Sequence, residues 1–279
     1  MKKFSVILLI LFISVSFKSF AQVSAYPPVM ILKMENPSDV MSMRNTSAQF
    51  REVTISFEFG YIDFDNMGKA TMNYDDSSAA EKYALDPFAK VFPQKLVIPP
   101  NTTQAVRILA NIPPDKPDGT YWTRIHVKSS PVEEQVDTTS LPDNRRGAKF
   151  IIHTEMVNLL LFQKGIVTSD VDVEFSRVYS DSANYYVLFD FDKTGNSPFW
   201  GMMYMDILDA EEEVVASSKF KLPLYFSNST AVPINKDNLN PGRYTARVTI
   251  NNEVDEISES NRIDFPEMTK TFEIEIPQN

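Results

Sequence analysis

The stretch from Leu96 to Val127, LVIPPNTTQAVRILANIPPDKPDGTYWTRIHV, predicts three β-strands separated by turns. The segment 96–98 ends at two prolines, and apolar and polar residues alternate from 105 to 109. A break rich in Pro and Asp follows, and a last strand then carries Tyr121, Thr123, Ile125 and Val127 on one face. Alternation with a period of two, bounded by turn residues, is typical of half-buried strands in a β-sandwich.

The rest of the chain repeats this pattern and predicts an all-β protein with two immunoglobulin-like β-sandwich domains in tandem. The 20 Phe and 11 Tyr residues favour strands. Because the composition changes near Gly165, we place the first domain at 22–164 and the second at 165–279. Seven candidate strands in the second domain match the number expected of an immunoglobulin-like fold: 171–178, 184–191, 201–208, 213–220, 231–234, 242–251 and 269–276.

Residues 1–21 have the features of a cleaved secretory signal peptide. Lys2 and Lys3 precede a short apolar run, and the small residues Ser19 and Ala21 precede the predicted cleavage point. The apolar run is shorter than the ~20 residues that a membrane-spanning helix needs. We therefore predict export to the periplasm, with the cell surface as the other location.

The composition argues against an enzyme. Cysteine is absent, so the chain has no thiol nucleophile or soft metal ligand, and the two histidines, His126 and His153, both lie in predicted strands. We found no Gly-rich phosphate loop and no zinc motif, so we predict no catalytic residues, no cofactor and no metal. The net charge of −10 disfavours nucleic acid as a partner.

An acidic turn at Asp63–Gly68 superficially resembles a calcium-binding loop. Met67 occupies a position where such a loop needs an oxygen ligand, and Tyr74 stands where its last glutamate would be. We interpret this segment as a polar hairpin turn between two strands.

Taken in order, these segments resemble the PapD-like periplasmic pilus-assembly chaperones. The likeness covers mainly residues 90–165 and is carried by LVIPPNTTQAVRILANIP, by the aromatic strand DGTYWTRIHV, and by a long alternating strand, 150–162, that ends in LLLF. The family order of a proline-bounded strand, an Arg-x-aliphatic strand end and an aromatic strand start is met here by Arg107-Ile108-Leu109 and by Tyr121-Trp122.

The resemblance implies binding by β-strand addition, in which the chaperone lends a strand to a subunit that lacks one. Strand 150–162 would be lent, and we expect the donated face to hold Phe150, Ile152, Thr154 and Met156. The implied partner is a pilin-like or other exported subunit, together with an outer-membrane usher, and an uncovered edge would also allow a homodimer.

The resemblance further implies two cations in the cleft between the domains, which hold the terminal carboxylate of the subunit. This sequence departs from that pattern, and only Lys33 and Lys164 remain as weak substitutes. We expect Trp122, Arg124 and His126 to line the outer face beside the lent strand. The alternative hypothesis is an exported structural or adhesive immunoglobulin-like protein with no chaperone role.

Overall fold

The computed structural model describes residues 22–132 and 152–277, so the predicted signal peptide and Phe150 lie outside the described residues. The first half contains one helix, α1 (Ser77–Tyr83), and eleven strands. These are β1 (Val23–Tyr26), β2 (Val29–Lys33), β3 (Ser38–Asn45), β4 (Arg51–Glu58), β5 (Tyr61–Phe64), β6 (Ala70–Asn73), β7 (Ala89–Phe92), β8 (Lys95–Ile98), β9 (Thr103–Ala110), β10 (Gly119–Pro131) and β11 (Thr154–Lys164).

The second half contains seven strands, and each of them overlaps one of the seven predicted segments. They are β12 (Asp170–Ser180), β13 (Asn184–Thr194), β14 (Phe199–Leu208), β15 (Val214–Leu224), β16 (Asn228–Asn235), β17 (Gly242–Asn251) and β18 (Met268–Ile276). Short 3₁₀ turns occupy Asp86–Phe88, Lys236–Asn238 and Glu259–Asn261.

The first sandwich consists of the sheets β1-β3-β9-β7 and β2-β11-β10-β4-β8. Its core includes Tyr121, Ile125 and Val127 of β10, so the face predicted from the alternation does point inward. Strand β10 pairs with β11 in antiparallel register, from Gly119 opposite Lys164 to Ser129 opposite Thr154. The predicted pairing of these two strands is therefore present.

The second sandwich consists of the sheets β12-β13-β16 and β15-β14-β17-β18. Its core is largely aromatic and aliphatic, with Phe189, Met205 and Ile250 fully buried. Tyr244 at the start of β17 donates a hydrogen bond to the carbonyl of Asn240 at 3.1 Å, which closes a corner of the fold. These two pairs of sheets confirm the predicted all-β class with two sandwiches, whereas the domain boundary near Gly165 stays a prediction.

The N-terminal segment 23–33 forms two strands rather than one. The prolines at 27 and 28 divide it into β1, which pairs with β3, and β2, which runs parallel to β11 in the opposite sheet. Proline has no N–H to donate to a ladder, so the chain can change sheets at this point.

The hairpin β5–β6 leaves the first sandwich and docks on the second. At its tip the carboxylate of Asp65 accepts hydrogen bonds from the N–H groups of Met67 and Lys69, both at 2.9 Å, which confirms the predicted polar turn. The carbonyl of Gly68 accepts a hydrogen bond from the N–H of Ala231 at 3.1 Å. Gly68 has a φ of +71°, and a Cβ there would lie 2.4 Å from that same nitrogen, so this contact requires glycine.

Helix α1 spans seven residues, Ser77–Tyr83. The side chain of Asp76 caps it by accepting a hydrogen bond from the N–H of Ala79 at 2.9 Å, and Tyr61 donates to the same carboxylate at 2.7 Å. The helix lies against the outer face of the first sandwich, where the ring of Tyr83 stacks on Trp122 at a centroid distance of 4.9 Å.

Candidate binding edge

Strand β11 is closed on both sides along only part of its length. Residues 159–163 lie between β10 on one side and residues 29–33 of β2 on the other. We call 159–163 the closed half of β11 and Thr154–Val157 the open half. The sequence predicted one long edge strand, so the open edge is shorter than expected.

The open half lies beyond the beginning of β2, which runs parallel to β11. The N–H of Leu159 donates to the carbonyl of Pro28 at 2.9 Å, and the side-chain amide of Asn158 donates to the carbonyl of Pro27 at 2.9 Å. Beyond these prolines the chain pairs with β3 instead, so no described strand is paired with Thr154–Val157 on that side. Main-chain directions alternate along a strand, so the N–H and C=O groups of Glu155 and Val157 also face this vacant side.

The open half exposes different side chains from those predicted. Met156 packs against the core of the first sandwich, and Thr154 is half-buried on the same inner face. The outer face carries Glu155 and Val157, and Val157 is 47% exposed. Ile152, just ahead of the strand, is 56% exposed. Which of these side chains a partner contacts stays a prediction.

His126 holds Glu155 against the outer face of the sheet. Its Nδ1 lies 2.6 Å from Oε1 of Glu155, and its Nε2 lies 3.3 Å from Oε2 of Glu58. Lys128 lies 3.8 Å from the same oxygen of Glu155. Of the three predicted neighbouring-face residues, His126 is therefore the one that contacts the open half.

Trp122 and Arg124 occupy the predicted outer face, but the second sandwich covers them. The guanidinium of Arg124 donates to the carbonyl of Gly60 and to the hydroxyl of Tyr225, both at 3.0 Å. The ring of Trp122 lies 5.0 Å from that of Tyr225. Burial raises the pKa of Tyr225 to about 12, with the charge of Arg124 acting in the opposite direction. These two residues join the sandwiches rather than border the edge.

Lys33 and Lys164 lie at the ends of neighbouring strands, because Lys33 is in register with Gln163. The ammonium of Lys33 donates to the carbonyl of Ser260 at 3.2 Å. Lys164 is buried, and its ammonium donates to the carbonyls of Pro114, at 2.8 Å, and of Lys116. Both ammonium groups donate to carbonyl groups of this chain, and their role as cleft cations stays a prediction.

Arg51 is a site residue that the sequence reasoning missed. It is buried, and its guanidinium donates to the hydroxyl and carbonyl of Ser129, both at 3.0 Å, and to the carbonyl of Ile152 at 3.2 Å. It therefore holds the end of β10 beside the approach to the open half. Arg51 lies on the same face of β4 as the inward-facing Val53 and Ile55, and this alternation could have predicted its burial.

Within residues 22–132 and 152–277, no group of three or more acidic or histidine side chains is arranged to hold a metal ion. In the same ranges, no helix combines the length and apolar character needed to cross a membrane.

Comparisons with known proteins find similarity in structure alone. No protein-family model matches the chain, and no curated protein matches its sequence. Among solved structures, the YadV chaperone is 8% identical with a TM-score of 0.49, and the match covers 90% of this chain and 100% of that one. The Pseudomonas aeruginosa CupB2 chaperone is 10% identical with a TM-score of 0.44, covering 91% and 100%.

A chain from the Salmonella enterica SafA pilin in complex with the SafB chaperone is 12% identical with a TM-score of 0.46. That match covers 92% of this chain and 99% of the other. Fimbrial chaperones, the family that the sequence resembles, are therefore among the similar structures. The function proposed below rests on the geometry of the open half.

Proposed function

We propose that this protein is an exported chaperone-like protein that binds pilus or surface-structure subunits by β-strand addition at the open half of β11. The observation that carries the proposal is the vacant side of Thr154–Val157. There two pairs of N–H and C=O groups, from Glu155 and Val157, face away from β10 just beyond the beginning of β2. An unpaired strand edge is a template for a strand of another chain.

The partner would be a sandwich subunit that lacks one strand. Its edge would pair with the main chain of the open half, and exposed Ile152 and Val157 would supply apolar contacts. Phe150, Thr154 and Met156 remain the other predicted contacts. The activity is binding and protection of an aggregation-prone surface, and it includes no chemical step.

The cellular setting belongs to the same proposal. Cleavage after Ala21 would release the chain into the periplasm, where it would meet pilin-like subunits and deliver them to an outer-membrane usher. In the absence of a subunit, the open halves of two copies could pair, which gives a homodimer.

Val157→Pro tests the proposal because proline removes one N–H from the vacant side and leaves the ladder to β10 intact. The partner would be a pilin-like subunit encoded beside this gene, co-expressed and exported with it. We expect the wild-type protein to elute with the subunit as a complex in size-exclusion chromatography. We expect Val157→Pro to lose the complex while its Tm stays within about 2 °C of the wild-type value.

Val97→Pro is the matched control. Val97 lies on β8, the opposite edge of the same sheet, and is also 47% exposed. The N–H of Ile55 in β4 donates to the carbonyl of Gln94, so the main chain of Gln94 faces β4. Main-chain directions alternate along a strand, so the N–H of Val97, three residues later, faces away from β4. We expect this variant to keep the complex. A complex that survives Val157→Pro would contradict the proposal, and the absence of any complex with the wild-type protein would favour a structural or adhesive role.

A further inference from the structure

A cavity of about 1070 Å³ lies where the hairpin β5–β6 meets the second sandwich. The hairpin forms one wall, and the strands β15 and β16 form the other. These two strands belong to different sheets, and each pairs with one neighbour on its far side. The wall is mainly apolar and includes Ile62, Phe64, Tyr179, Trp200, Phe220 and Val232. Ligand sites of this size and character commonly lie at junctions between domains.

Two buried polar atoms in the lining have no hydrogen-bond partner among the described residues. Thr230 is only 3% exposed, and its Oγ1 is unpaired. The indole Nε1 of Trp200 is also buried and unpaired, and it can act only as a donor. Buried polar groups of native proteins are usually hydrogen-bonded, and leaving one unpaired is costly. An acceptor that reached either atom would supply the partner that it lacks.

The charged residues of the lining also favour a ligand that accepts hydrogen bonds. Lys69 and Lys219 are exposed, and neither ammonium has an ion-pair partner within the described residues. The two acidic residues of the lining are engaged in their own turns. Asp65 accepts from main-chain N–H groups of its hairpin, and Asp181 accepts from two N–H groups and from the hydroxyl of Tyr186. The uncommitted polar groups of the cavity are therefore donors and cations.

We propose that this cavity binds a single-chain anionic amphiphile. The apolar chain would cover the aromatic and aliphatic wall. The head group, a carboxylate or a phosphate, would accept hydrogen bonds from Trp200 and Thr230 and would neutralise the lysines. This site is separate from the open half of β11 and does not depend on the proposed chaperone activity.

Calorimetric titration of the full exported chain tests the site, with all lipids kept below their critical micelle concentrations. We expect saturable binding of dodecanoate and of dodecyl phosphate, and at least 10-fold weaker binding of dodecanol, which lacks the charge. Acetate and inorganic phosphate, which lack the chain, should show no saturable binding. Equal affinity for dodecanol and dodecanoate would overturn the proposal, as would the absence of saturation.

Substitutions of lining residues test whether the ligand binds in this cavity. Trp200→Phe keeps an aromatic ring but removes the donor, and we expect roughly 10-fold weaker dodecanoate binding. Dodecanoate should also change the tryptophan fluorescence of the wild-type protein but not that of Trp200→Phe, whose remaining Trp122 is outside the lining. Lys69→Gln and Lys219→Gln should each weaken binding a few-fold. Lys90 is an exposed lysine of β7 outside the cavity, and Lys90→Gln should leave binding unchanged. Equal losses of affinity in all three lysine variants would overturn the assignment.

Discussion

The closed and open halves of β11 share one strand and one neighbour, β10, but differ in what covers them. In the closed half, Leu160 points into the core of the first sandwich, and Leu159 and Leu161 pack below the second sandwich. In the open half, the inner face still meets the core, but Val157 is exposed and the main chain is paired on one side with no strand among the described residues. One continuous strand can therefore anchor the fold at one end and present a binding edge at the other.

The largest loss of stability is expected when a side chain in the closed half is shortened. Leu160→Ala would create a cavity in the core and lower the free energy of unfolding by about 2–5 kcal/mol. Val157→Ala in the open half removes an exposed side chain and should cost no more than about 0.5 kcal/mol. Urea denaturation of both variants gives the two values. Similar losses for the two variants would show that the halves do not differ as described.

A smaller loss is expected when Arg51 is removed. Arg51→Ala leaves the carbonyls of Ser129 and Ile152 without their donor, which should lower the free energy of unfolding by about 1–3 kcal/mol. Arg107→Ala is the control, because this exposed arginine donates only to the hydroxyl of Ser38, at 3.2 Å. Amide hydrogen exchange should accelerate in the open half and remain slow in the closed half. Unchanged exchange at Thr154 and Met156, whose N–H groups face β10, would mean that Arg51 does not hold the edge in place.

The smallest change in stability is expected at Lys193. This residue borders a cavity with Trp122 and Tyr225, where the two sandwiches meet. Burial lowers the pKa of Lys193 to about 8, from an ordinary value of 10.5. Between these two values the unfolded chain binds more protons, so the contribution of Lys193 to stability rises with pH; below about pH 8 the buried charge is fully destabilising. Lys193→Met should raise the Tm at pH 7 by roughly 2–4 °C.

The measurement is the difference in Tm between Lys193→Met and the wild-type protein from pH 6 to pH 9.5. The advantage of the variant should shrink as the pH rises above 8. Tyrosines titrate similarly in both proteins and cancel in the difference. A difference that is constant with pH would contradict a lowered pKa for Lys193.

Much of the fold could be predicted because its strands follow local rules. The alternation from Tyr121 to Val127 gave the inner face of β10, and the pairing with β11 followed from the order of segments. The open half could not be located in this way. Its position depends on where β2 begins, directly after the prolines at 27 and 28 that separate β1 from β2.

The residues around the edge were harder to predict because their roles depend on distant partners. Lys164 was assigned to the cleft from its place after the lent strand, but its ammonium binds carbonyls of the segment before β10. Arg124 was expected beside the edge, yet it reaches Tyr225, which is 101 positions later in the chain. Sequence alternation gives the face of a residue, but it does not show which element covers that face.

The hairpin β5–β6 has a consequence for how the chain can be divided. Phe64 comes from the first half of the sequence but packs against the core of the second sandwich, and the hairpin tip binds Ala231. A fragment cut after Lys164 would expose the apolar residues of the hairpin β5–β6. The remaining fragment would lose the hairpin that covers part of the second sandwich. We therefore expect the two sandwiches to unfold as one cooperative unit, and a truncation chosen from the sequence boundary to yield two aggregation-prone pieces.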